Sequence, residues 1–150
     1  MKKELFAGII SVWVLLIFSF NSFAQFAPST NYNRVIEQMP RVELTTIDND
    51  FNKVQTSIQY IDGLGRPLQT VLHRATPTGT QDILGSTVSY DAFSRPLKNY
   101  LPSPSSTGTG TYISNIEGLA STFYNDTITF NRPIYEASAA NRVVKNYGVG

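Results

Sequence analysis

Apolar and polar positions alternate most regularly in KVQTSIQYI, residues 53–61. Val54, Thr56, Ile58 and Tyr60 fall on one face there, and Lys53, Gln55, Ser57 and Gln59 on the other. Successive side chains of a strand point to opposite faces, so this period of two predicts a half-buried β-strand. Upstream, NYNRVIEQMPRVELTTI carries Val35 and then the alternating pair Val42 and Leu44. It predicts two short strands broken at Met39-Pro40, because proline cannot donate to a central ladder. Downstream, Asp62-Gly63 predicts a tight turn, with Gly65 a second residue free to take positive φ. The chain then returns as a strand over residues 67–74, turns through ATPTGTQD (residues 75–82) and runs out again in STVSY to Tyr90. DAFSRP turns it once more and LKNYL returns, so residues 32–101 read as β-hairpins.

The pattern then changes. PSPSSTGTGT, residues 102–111, is low in complexity and predicts a flexible connector. In YISNIEGLASTFYND, Ile113, Ile116, Ala120 and Phe123 recur at helical spacing. Gly118 inside that run costs about 1 kcal/mol against alanine, so a short helix is expected. Residues 112–150 finish with a further strand repeat, in which Arg132-Pro133-Ile134 echoes the earlier Arg-Pro-Leu, and Tyr135 followed by Asn141-Arg142-Val143 is a looser copy. The strand-like segment ending at Gly150 is expected to lack a partner, and the region reads as the front part of something longer.

The amino terminus belongs to a different pattern. Lys2 and Lys3 precede an apolar run over residues 5–20, and Ser22 and Ala24 stand at the −3 and −1 positions of a small-residue cleavage site. This is the layout of a secretory signal peptide covering residues 1–24. The run is shorter than the roughly 20 residues a spanning helix needs, so no membrane contact is expected after cleavage. Residues 25–31 (QFAPSTN) read as a flexible lead-in. The remaining 126 residues are enough for one ordinary core. With no cysteine there is no disulfide framework, and the core must hold the fold alone. The mature charges balance, 10 basic against 10 acidic, so no basic face is offered to nucleic acid.

The hairpins repeat. YIDGLGRPLQTV and YDAFSRPLKNYL align on Arg66 and Arg95, 29 positions apart, which matches Asp62 with Asp91, Pro67 with Pro96 and Leu68 with Leu97. Tyr60 and Tyr90 close the outgoing strands. Periods of this length suggest units that bury their faces by stacking on neighbours. Aspartate opens a turn by bonding backbone ahead of it, and arginine beyond the turn can pair with that aspartate or lie over a tyrosine ring. Tyr60, Asp62, Gly63, Gly65, Arg66, Pro67, Tyr90, Asp91, Arg95, Pro96, Arg132 and Arg142 are therefore the structural repeat residues.

These motifs resemble the tyrosine-aspartate (YD) repeats of Rhs-type proteins. The order signal peptide, NYNRVIE, YIDGLGRPLQTV, SYDAFSRPLKNYLP, FYND, YEASAANRVVKNYGVG is similar to the uncharacterised N-terminal domain of large secreted Rhs-repeat proteins of Gram-negative bacteria. Two departures stand out: Ser94 occupies the repeat's glycine position, and Ile61 separates Tyr60 from Asp62. The resemblance implies a β-strand array, which together with the helical spacing above makes the expected fold mainly β, an antiparallel β-hairpin array with one short helix. It also implies a scaffold role, in which repeats coil into a hollow shell around a downstream, toxin-type cargo domain.

Other chemistries find less support. Asp48, Asp50 and Asn52 copy the start of an EF-hand loop, but Lys53 replaces its glycine and Gln59 its glutamate, so an acidic solvated turn is expected. GLGRPL lacks the third glycine of a dinucleotide fingerprint. His73, the only histidine, is expected at the surface or across a strand pair rather than on a metal. Asn125-Asp126-Thr127 fits a glycosylation acceptor and marks a surface turn. No serine sits in a nucleophile elbow. The expected protein is thus non-enzymatic, without cofactor or metal, secreted or at the cell surface. Its partners would be downstream repeats or a cargo domain of the same polypeptide, or cell-surface or target-cell components. A small adhesion or carbohydrate-binding module using exposed tyrosines is the alternative. A secreted enzyme whose site is completed by other residues is a further one.

Overall fold

The computed structural model describes residues 25–47 and 50–150; the signal segment 1–24 lies outside them, as do Asp48 and Asn49. The fold is mainly β. Eight strands form one antiparallel sheet: β1 Asn33–Pro40, β2 Val54–Ile61, β3 Pro67–Leu72, β4 Ile83–Tyr90, β5 Pro96–Tyr100, β6 Ser103–Pro104, β7 Phe130–Tyr135 and β8 Val143–Tyr147. The order along the sheet is β1-β2-β3-β4-β5-β7-β8, with β6 paired to the start of β4. The one described helix, α1, spans Ile116–Tyr124 between β6 and β7.

Neighbouring strands are joined by hairpins as far as β5, and the alternation seen in residues 53–61 decides which face is buried. Val54, Thr56, Ile58 and Tyr60 are all buried on β2. The same face continues through Val71, Leu84 and Tyr100, and Ile116 of α1 covers it. Phe26, Tyr112, Ile113, Leu119 and Phe130 close the rim of this core. Asn115 caps α1, its side chain accepting from the Gly118 amide, and Asn125 ends it at φ 52°. The glycosylation-like triplet therefore begins at the helix C-cap.

Four expectations need correction. Residues 32–47 do not form two strands, because β1 runs unbroken and ends at Pro40, which removes the donor needed to continue. Residues 102–111 are not a free connector. They cross the buried face as a strap, with the Ser105 amide bonded to the Asp82 carbonyl at 2.9 Å and the Asp82 amide bonded to the Thr107 carbonyl at 2.9 Å. The lead-in is drawn in beside the strap: the Ala27 amide bonds to the Thr109 carbonyl, and the Phe26 ring meets His73 edge-on at 4.9 Å between centroids. Finally, the last segment does have a partner, since β8 pairs with β7 from Arg132↔Tyr147 to Tyr135↔Val143.

His73 is buried rather than on the surface. Its Nδ1 donates to Asp82 Oδ1 at 3.1 Å, and the other oxygen of that buried carboxylate accepts from the Gly110 amide at 2.6 Å. Polar side chains buried with their partners in place tie separate elements together. Gln69 does the same further back on β3, exchanging both amide bonds with the backbone of Ile113. The acidic turn before β2 is held by Asp50 accepting from the Asn52 amide at 3.0 Å, and no group of three metal-ligating side chains occurs among the described residues. None of the described helices is long and apolar enough to cross a membrane.

Candidate functional site

Three hairpins share one construction. In each, pairing slips by one residue just before the turn: Tyr60↔Gln69 is followed by Ile61↔Pro67, Ser89↔Lys98 by Tyr90↔Pro96, and Ile134↔Lys145 by Tyr135↔Val143. An acid opens each loop and an arginine closes it. The Asp62 amide bonds to the Arg66 carbonyl, Asp91 to Arg95, and Glu136 to Arg142, at 3.0, 2.9 and 2.9 Å. The third unit, which began in the sequence as a loose copy, is thus a full one whose acid is glutamate.

The acid organises the loop from inside. Asp62 Oδ1 accepts from the amides of Leu64 and Arg66 at 2.8 and 2.9 Å, while Oδ2 takes the Arg66 guanidinium through Nε at 2.7 Å and Nη2 at 2.6 Å. Asp91 repeats this with Phe93 and Arg95 almost to the decimal. Backbone and then side-chain donation from the arginine holds both aspartates below the ordinary carboxylate range. In the third hairpin the acid–arginine separation is six positions instead of four. Glutamate's extra methylene bridges the longer loop, with Oε1 on Arg142 Nε and Oε2 on Nη2, both at 3.0 Å. Arg142 holds the Glu136 carboxyl low in turn.

Gly65 sits where the loop needs positive φ, at 79°. Ser94 and Asn141 hold the equivalent places at 65° and 51°, so the departure at Ser94 keeps the loop at the cost of a conformation that glycine adopts more freely. Gly63 is a correction. It has ordinary φ and open space around its Cβ position, so the turn is a five-residue loop that Gly65 permits, rather than an Asp-Gly hairpin.

The first two arginines also reach the next hairpin. The Arg66 guanidinium lies 4.2 Å from the centre of the Tyr90 ring, and the Tyr90 hydroxyl donates to the Pro67 carbonyl at 2.9 Å. Arg95 lies 4.5 Å from the Tyr135 ring, whose hydroxyl donates to the Pro96 carbonyl at 3.0 Å. A second link joins these two hairpins, from Arg95 Nη1 to Asn141 Oδ1 at 3.0 Å. Arginine fixed in place by a carboxylate oxygen that accepts from both Nε and Nη2, with a tyrosine face over it, combines a charge-assisted pair with a cation–π contact.

The residues expected to carry the repeat divide accordingly. Asp62, Gly65, Arg66, Pro67, Tyr90, Asp91, Arg95, Pro96 and Arg142 come together in the ladder. Tyr60 does not, because the intervening Ile61 reverses its face. Its ring is buried, its hydroxyl donates to the Gly110 carbonyl at 2.6 Å and accepts from the Ser29 amide, and Ile61 takes the place that Tyr90 and Tyr135 hold. Arg132 lies inside β7, facing β8, and opens no hairpin. Glu136 is the member that the repeat pattern misses, and Tyr135 enters it only as part of the looser third copy, although tyrosine followed directly by an acid is the available signal.

Beneath the ladder, Lys98 links sheet to helix. Its Nζ meets both Glu117 oxygens at 3.1 and 3.2 Å and lies 4.2 Å from the Phe130 ring centre. Tyr100 donates to the same carboxylate at 3.2 Å; burial first, and then the Glu117 charge, push its phenol up to about 12.

Residues 29–150 match the family described as a domain of unknown function, DUF6443. No curated protein and no solved structure matches the chain. Since the matched stretch is well over half of its length, the chain belongs to this family.

Proposed function

We propose that this member of the family is a secreted, non-enzymatic scaffold: the N-terminal part of a larger Rhs/YD-repeat β-shell that encapsulates or presents a downstream domain. The ladder is the observation that supports it. Arg66 grips Tyr90 and Arg95 grips Tyr135 in the same way, so each hairpin is recognised by the one before it. The acids of the three loops hold backbone and arginine, and Arg66 and Arg95 hold rings as well, an arrangement suited to building a wall rather than to turning over a substrate. The apolar run and cleavage pattern of residues 1–24 support export, after which the partners are repeats or cargo of the same polypeptide, without cofactor.

The test is the length of the natural product, obtained by reading the frame past Gly150 and by blotting cell and culture fractions. A product far larger than 16.6 kDa, exported and with further tyrosine-acid hairpins, is expected. A product ending at Gly150 has too few hairpins to enclose anything and would leave the small binding module as the better account.

A further inference from the structure

We infer that the sheet is extended in one direction only: the open edge of β8 recognises a further antiparallel strand that closes in tyrosine followed by an acid. The inference rests on the scaffold reading and adds the chemistry of the joint. Arg142 is posed by Glu136 as Arg66 and Arg95 are by their aspartates, yet its side chain is 77% exposed and it lies over no ring among the described residues. Val143 stands in the register position of Pro67 and Pro96, so its carbonyl is the counterpart of those that accept from Tyr90 and Tyr135. All five residues of β8 are exposed. Backbone, acceptor and cation are thus laid out for one more rung, and only tyrosine supplies both the ring and the hydroxyl.

The other edge offers nothing of the kind. β1 is joined to β2 by a long connection that shows no acid–arginine pair among the described residues, and it ends in Met39-Pro40. Where a tyrosine would reach back toward an earlier arginine, the first hairpin has Ile61, and Tyr60 is turned into the core. The first hairpin therefore starts the ladder, and β8 is where it continues. A second copy approaching through β1 would bring no tyrosine to Arg142.

The experiment extends the full chain past Gly150 with a short Gly/Ser linker and a copy of its own residues 86–100, and reads amide hydrogen exchange in β8. Exchange at Val143 and Asn146, whose amides face away from β7, is expected to slow by about tenfold or more against the unextended chain. Leucine in place of the copied Tyr90 is expected to undo most of that gain, and so is Arg142→Leu in the chain itself. Because Arg142→Leu also loosens the third loop, the leucine copy, which leaves residues 1–150 unaltered, is the deciding variant. Equal slowing with tyrosine and leucine would overturn the inference, as would no slowing at all. So would sedimentation of the unextended chain as a dimer with β8 already protected. Each of these results is independent of the length of the natural product, which tests the scaffold reading itself.

Discussion

Gly65 and Gly63 stand two residues apart in one loop and carry opposite demands. At φ 79° a β-branched side chain at position 65 meets its own backbone, whereas position 63 has ordinary φ and open space. Gly65→Val is expected to destabilise the protein by about 1–2 kcal/mol, and Gly63→Val to stay within about 0.5 kcal/mol, in urea unfolding. A larger loss at position 63 would contradict the loop geometry. The sequence suggested the opposite emphasis, since Asp-Gly is the usual mark of a two-residue turn. What it could not display was the side-chain ring closed by Asp62 on the Leu64 and Arg66 amides, which stretches the turn over five residues.

At the scale of the hairpin, the three loops share one electrostatic device and therefore one pH response. Asp62 and Asp91 have their folded-state pKa held below the ordinary 3.8, and Glu136 below 4.5. A depressed carboxylate contributes stability that is fully present above the unfolded pKa and lost as pH falls through the folded value. Unfolding midpoints measured stepwise from pH 6 downward should be level at first and then fall below about pH 4. In an Asp62→Asn, Asp91→Asn double variant that fall should be shallower, and a slope as steep as the parent's would remove the loops as its source. Strand periodicity and the Asp…Arg-Pro-Leu spacing made the first two hairpins legible. The third was harder because its loop is longer and its acid is glutamate, so a fixed spacing misses it. Tyr60 was misassigned for a simple reason: in a strand one inserted residue, here Ile61, sends the ring to the other face.

Across the whole molecule the strap matters most, and it was the part least visible in the sequence. Serine, threonine, glycine and proline over residues 102–111 have the composition of a tether. Their order comes from partners far away in the chain: Asp82 with Gly110, Tyr60 with Gly110, and Gln69 with Ile113 just beyond. A Cβ on Gly110 would stand 2.6 Å from Ile58 Cδ1, at a φ of 77°. Gly110→Ala is therefore expected to cost about 2–4 kcal/mol, combining overpacking with backbone strain, and to release the strap amides to rapid hydrogen exchange. Unchanged protection at Gly110 and Ile113 would contradict the packing.

The strap also sets an order of events. The Ser29 hydroxyl accepts from the Tyr112 amide across 83 positions, and the Tyr60 hydroxyl reaches Gly110 across 50. Hairpins β2 to β5 close over short separations and can form while the chain is still emerging, but until the strap arrives the lead-in has only its contacts with Tyr60 and His73. The segment that leaves the ribosome early is fastened late, and until then the apolar face of β2 stays uncovered.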